Sequence, residues 1–264
     1  MNFSSYKAII FRRDGCVLHA TFNRPETMNA IENELNADLD HLFLDVADDD
    51  ETNVLVLTGA GRAFSAGGNI DAMQTAIDNP NQFLKGLTNG KRLIFSILDC
   101  PKPIIAKVNG PAIGLGATIA LFCDMIIAAR QSKIADPHVK LGFNAGDGGA
   151  VIWPALIGYA RAKGFLFTGD AVTGEEAAQI GLINSAVASE DLDRVVDELA
   201  QRIANCAPRA IQWTKLSVNI GLKQLAHSIL DASLAYEALS NQTKDHQEAV
   251  RAFREKRPPR FTGE

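Results

Sequence analysis

Three short, largely apolar runs, "NVLVLTG" (Asn53–Gly59), "KPIIAKVNG" (Lys102–Gly110) and "CDMIIAA" (Cys123–Ala129), limit what this chain can become. Each has the length and β-branched content of a strand buried on both faces. The first two close on glycine-rich turns that lead into helical patterns. Strands alternating with helices predict an α/β fold whose helices cover the sheet. Upstream, "YKAIIFRRDGCVLHATFNRP" predicts a hairpin turning at Asp14-Gly15. Ile31, Leu35, Leu39, Leu42 and Val46 fall at three- and four-residue steps and predict an amphipathic helix. "QFLKGLTNGKRLIFSILDC" predicts another, stopped by Pro101. After about residue 190 the pattern is helix after helix. The expected organisation is an α/β core over 1–190 and a helical subdomain over 191–264. Leu216, Ile220, Leu225, Ile229, Leu230 and Leu234 supply either core or a subunit contact.

Composition removes several classes of function. The 264 residues carry a net charge of −5, with 47% hydrophobic and 22% charged residues. That suits one large domain with a substantial core, and gives no bulk attraction to nucleic acid or an anionic membrane. Runs such as "MIIAA" are far too short to span a bilayer. Cys16, Cys100, Cys123 and Cys206 are scattered without ligand spacing. Free thiols, a cytoplasmic location and no metal site are the expectation.

Two turns gather small residues after apolar runs: "GAGRAFSAGGNID" (Gly59–Asp71) and "NGPAIGLGATIALFCD" (Asn109–Asp124). Such turns expose the unpartnered first N–H groups of the next helix and let a ligand approach the backbone. Gly114-Leu115-Gly116 is only a fragment of a dinucleotide fingerprint, because Ile119 stands at the third glycine position. No phosphate-loop Gly-Lys-Ser/Thr follows either turn. Singly, each turn reads as structural.

Together with "NRPETMNAI", "GDGGAVIWPALIG", "FTGDAVTGEEAAQIGLIN" and "AFREKRPPRF", in this order, the chain resembles the enoyl-CoA hydratase/isomerase (crotonase) family over nearly its whole length. The resemblance implies a crotonase-like spiral of ββα units with a C-terminal helical trimerisation region, assembled as a homotrimer or hexamer. It implies an acyl-CoA thioester as substrate and no cofactor beyond that coenzyme A. Carried over by motif, the family's oxyanion hole falls on the backbone N–H groups of Ala66 and Leu115. Two preorganised donors there meet the charge that develops on a thioester carbonyl when its enolate forms. The resemblance further implies that Glu26, Met28, Ala66, Gly67, Gly68, Asn69, Ile70, Gly114 and Thr118 line the acyl-CoA path. Arg24 and Lys256 would meet its phosphates, although a surface cation is ordinarily just solvated.

The departure from the family's hydratases lies in "HVKLGFNAGDGG" (His138–Gly149). Those hydratases use two glutamates; their places here are Thr118 and the Pro137-His138 pair. Asp147 is the replacement acid/base, since other branches place a working aspartate in this turn, and His138 is its helper. A carboxylate near an imidazole orients the ring and raises its basicity. Taken alone, Asp147 is a helix cap and His138 a satisfied structural histidine. The expected activity is hydration or isomerisation of an unsaturated acyl-CoA. Two alternatives stay open: a β-diketone C–C hydrolase using His138 and Asp147, and a CoA-binding member that has lost catalysis.

Overall fold

The computed structural model describes residues 3–264, apart from the side chains of Gln82, Lys85 and Leu87. β1 (Ile9–Asp14) and β2 (Val17–Phe22) form the antiparallel hairpin, turning through Gly15 at φ 56°. α1 (Asn33–Asp48) buries Leu35, Leu39, Leu42 and Val46, the expected stripe. Ile31 lies just before it. β3 (Val54–Gly59) follows, then α2 (Ile70–Asp78), α3 (Pro80–Asp99), β4 (Ile104–Val108), β5 (Ala112–Ile113), α4 (Leu115–Phe122), β6 (Met125–Ala129) and β7 (Lys133–Ala135). α3 stops two residues before Pro101. After a 3-10 turn over His138–Leu141 come α5 (Gly149–Ile157), α6 (Tyr159–Thr168), β8 (Val172–Thr173), α7 (Gly174–Gln179) and β9 (Ser185–Val187). α8 (Leu192–Ala204), α9 (Pro208–Asn241) and α10 (Lys244–Arg254) complete the chain.

Among the described residues, six strands make one sheet in the order β1-β2-β3-β4-β6-β9, parallel from β2 onward. A smaller sheet runs β5-β7-β8. Every residue of β3 is buried, and successive side chains point to opposite faces. Leu55 and Leu57 join a core with Leu35, Leu39, Ile94 and Ile97. Val54 and Val56 join Leu192, Val196 and Ala200 of α8 on the other face. The strand is unbrokenly apolar because helices cover both faces of its sheet.

α9 docks through buried polar contacts as well as apolar ones. Lys215 Nζ lies 2.7 Å from Asp124 Oδ2 and donates to the Lys102 carbonyl at 3.0 Å. Asn219 Nδ2 donates to the Leu98 carbonyl at 3.0 Å, at the end of α3. Its outer surface leaves Trp213, Val218, Tyr236 and Leu239 exposed. Tyr159, at the start of α6, is exposed too.

Candidate active site

The two glycine turns are laced together. Ser65 N–H donates to the Pro111 carbonyl and Ile113 N–H to the Ser65 carbonyl, each at 3.0 Å, around a parallel bridge between Ser65 and Ala112. Gly67 has φ 75°, and a β-carbon there would stand 2.3 Å from the Ile113 carbonyl oxygen and 3.4 Å from Leu115 N. Only glycine permits that approach. Gly114, at φ 53°, precedes α4 and leaves the Leu115 N–H at its first turn without an acceptor among the described residues. Gly68 N–H likewise has no acceptor among them.

Ala66 requires a correction. Its N–H donates to the Met28 carbonyl at 2.9 Å and is not available to a ligand in this arrangement. Met28 and Asn29 both adopt left-handed φ, at 54° and 55°, which turns their carbonyls toward the glycine loop. The Asn29 carbonyl takes the Ser65 hydroxyl at 2.7 Å. Gly67 N–H is engaged as well, by Ser65 Oγ at 3.1 Å. Leu115 and Gly68 N–H thus remain open among the described residues, Gly68 lying two residues beyond the expected donor Ala66.

The acid/base group is built beside these amides. β7 ends at Ala135, and Asp136-Pro137 leads straight into the 3-10 turn that carries His138. Asp136 Oδ1 is hydrogen-bonded to His138 Nδ1. His138 Nε2 lies 3.5 Å from Asp147 Oδ2, and Thr118 Oγ1 donates to Asp147 Oδ1 at 3.2 Å. The Asp136 side chain is 1% exposed, those of His138 and Asp147 12% each. A β-carbon on Gly114 would stand 3.7 Å from His138 Cε1, so the imidazole adjoins the loop that presents Leu115. The sequence Gly146-Asp147-Gly148-Gly149 is glycine-rich for a packing reason. β-Carbons would reach 2.0 Å from Asp136 Oδ2 at Gly149, 2.8 Å from Thr118 Cγ2 at Gly148 and 2.5 Å from Glu237 Oε2 at Gly146.

Charge follows from this crowding. Burial alone would lower the His138 pKa, but the flanking Asp136 and Asp147 charges and the Asp136 hydrogen bond push it up to about 10. Burial pushes Asp147 above the usual carboxylate range; His138 pulls it down, Asp136 adds to the rise and the Thr118 hydrogen bond opposes it. Burial, then the charges of Asp147 and Asp136, raise Glu237 to about 8 against the pull of His138. Asp136, His138 and Asp147 offer ligand atoms within 4.8 Å of one another, a spacing that a divalent cation would accept. The same geometry places a carboxylate at each nitrogen of one imidazole, the arrangement of an acid/base assembly.

The remaining expected residues lie around this centre. Arg24, in the segment leading to Met28, is paired with Glu26 at 2.7 Å and Glu34 at 2.8 Å. Asn69 caps α2 by accepting the Asp71 N–H at 2.6 Å, with Ile70 its first residue. The Asp71 side chain meets Arg254 at 2.7 Å. Lys256 is exposed beyond α10 at φ 53°. Sequence reasoning missed Asp136 and Glu237. Asp136 carried a signal, a carboxylate two residues before the histidine, whereas Glu237 reads as one charge among many on a long helix.

Comparison with known proteins accords with this architecture. A family model described as enoyl-CoA hydratase/isomerase matches residues 12–264. The chain is 33% identical over 254 residues to a short-chain-enoyl-CoA hydratase of Clostridium acetobutylicum, covering 94% of this chain and 95% of that one. It is 34% identical over 250 residues to a 1,2-epoxyphenylacetyl-CoA isomerase of Escherichia coli, covering 94% and 95%. The crystal structure of an enoyl-CoA hydratase/isomerase from Mycobacterium paratuberculosis superposes with a TM-score of 0.88 at 32% identity, covering 92% of this chain and 97% of that one. The fold is crotonase-like α/β with a helical C-terminal region, and the chain belongs to the enoyl-CoA hydratase/isomerase family.

Proposed function

We propose that the protein stabilises the enolate of an acyl-CoA thioester between the N–H groups of Leu115 and Gly68, and that Asp147, paired with His138, moves the proton. The reaction is hydration of, or double-bond migration in, an unsaturated acyl-CoA. The observation that carries this reading is the Asp136–His138–Asp147 assembly beside the loop that presents Leu115. A thioester carbonyl oxygen seated on two free amides would hold its α- and β-carbons near Asp147. Removing one such donor ordinarily costs about 3–4 kcal/mol of barrier. Thr118 cannot act as a base near neutral pH, but its hydroxyl orients Asp147. His138 stabilises the ionised Asp147 and accepts charge as the proton leaves or returns. Coenzyme A enters as part of the substrate. The homotrimer or hexamer belongs to the same reading, with the exposed faces of α9 and α10 buried between copies.

Crotonyl-CoA is the first test. Loss of its conjugated absorbance on mixing is the expected result, and Asp147→Asn is expected to lower kcat about 100-fold or more. Near-full activity of that variant would return Asp147 to a capping role. Failure to bind coenzyme A in calorimetry overturns the reading. Binding without turnover points to another acyl group or to a member without catalysis.

One observation favours a second reading. Asp136 holds His138 from behind while Asp147 faces its other nitrogen, and a water placed between Asp147 and the imidazole would suit hydrolysis of a β-diketone. Release of a carboxylic acid from a cyclic β-diketone, with crotonyl-CoA untouched, would select it.

A further inference from the structure

α9 brings Glu237 into the interior, 8% exposed, with Oε2 lacking any hydrogen-bond partner among the described residues. An unpartnered carboxylate oxygen in such a place is costly and calls for a reason. Its neighbour is Gly146, immediately before Asp147. A β-carbon at 146 would stand 2.5 Å from that oxygen, so the absence of a side chain there is what admits Glu237. Gly149 admits Asp136 in the same way. The loop thus carries Asp147 between two buried carboxyl groups, one from the strand side and one from the C-terminal helices.

We propose that Glu237 is a fourth, proton-holding member of the Asp136–His138–Asp147 assembly, delivered by α9 and acting through Asp147 rather than on substrate. This rests on the acid/base role given to Asp147 above. The titratable groups acting on Glu237 are Asp147 before α5, His138 in the 3-10 turn and Asp136 after β7. Burial and the two aspartates keep Glu237 a neutral acid at neutral pH. When Asp147 gives a proton to a substrate carbon the site becomes one charge more negative, and a Glu237 that stays neutral keeps that charge from facing a third buried carboxylate. The proton that Asp147 next takes from water or substrate restores the starting charge of the buried site, and no oxidant or reductant is consumed. Two carboxyls with separated affinities for a proton are how such sites divide the work of acid and base.

The experiment uses the full chain with glutamate labelled by 13C in its side-chain carboxyl, followed by infrared spectroscopy. A protonated-glutamate C=O band is expected at neutral pH, converting to carboxylate as pH passes about 8, and missing from Glu237→Gln. No such band in the wild type, or its survival in the variant, overturns the proposal. Should the variant not fold, the wild-type band alone decides. Histidine 15N NMR gives a second readout. The His138 midpoint is expected to fall in Glu237→Gln, because the Glu237 charge helps to raise it; an unchanged midpoint counts against the role. With crotonyl-CoA, kcat should fall about 100-fold with KM within about twofold; an unchanged kcat and pH profile reject the role. Wild-type turnover tests the underlying reading, whereas the spectroscopic readouts need no substrate.

Discussion

Gly149 and Gly146 matter for what stands against them. Gly149→Ala would drive a methyl group to 2.0 Å from Asp136 Oδ2, so the carboxylate must leave His138. Losing the carboxylate that orients a functional imidazole and balances its charge typically costs about 10- to 100-fold, on the order of what kcat on crotonyl-CoA should lose, with the far-ultraviolet circular dichroism unchanged. Glu237 predicts an opposite pair of effects. Its affinity for a proton is higher folded than unfolded, rising from 4.5 to about 8. The stability it allows is fully present below the lower value and is lost as pH climbs to the higher one. Glu237→Gln should therefore melt above wild type in alkaline buffer while turning over more slowly, which thermal melts across pH would reveal. His138 acts with the same sign: its contribution is present below 6.5 and is lost as pH rises through about 10. The histidine and Asp147 were legible from residue types in one short segment. Glu237 was not, because its burial arises from how α9 crosses Gly146, which no local pattern encodes.

At the scale of elements, strands long enough to show a pattern were visible in the chain. β3, β4 and β6 are five or six residues each and almost wholly buried. β5, β7 and β8 are two or three residues long, too short for any periodicity, and their pairing comes from the turns around them. The helical run after residue 190 was also legible, but its packing was not. α8 closes the second face of the main sheet, and α9 reaches both α3 and the active-site loop. Lys215, itself buried, is the polar anchor of that docking, and its removal leaves the Asp124 carboxylate, 23% exposed, with the Ile104 N–H and solvent. Losing a charge-assisted contact of this kind costs about 1.5–3 kcal/mol. Lys215→Ala should show that loss in denaturant unfolding, with less effect on the hairpin of β1 and β2.

For the whole molecule, the outer faces of α9 and α10 expose Trp213, Val218, Tyr236, Leu239 and Phe253, each more than three-fifths accessible. A surface of that kind is expected to be covered. Light scattering should give a multiple of 28.4 kDa, three- or sixfold under the proposed assembly. Trp213→Glu with Val218→Glu should shift it to the monomer mass; a monomeric wild type rejects the assembly. The bridge between Ser65 and Ala112 has a different consequence. It locks the amides of Ser65 and Ile113 in hydrogen bonds, while those of Gly68 and Leu115, two or three residues away, have no acceptor among the described residues. In heavy water the locked pair should resist deuterium uptake for hours while the open pair fills within the first time points, and a bound thioester should slow only the open pair.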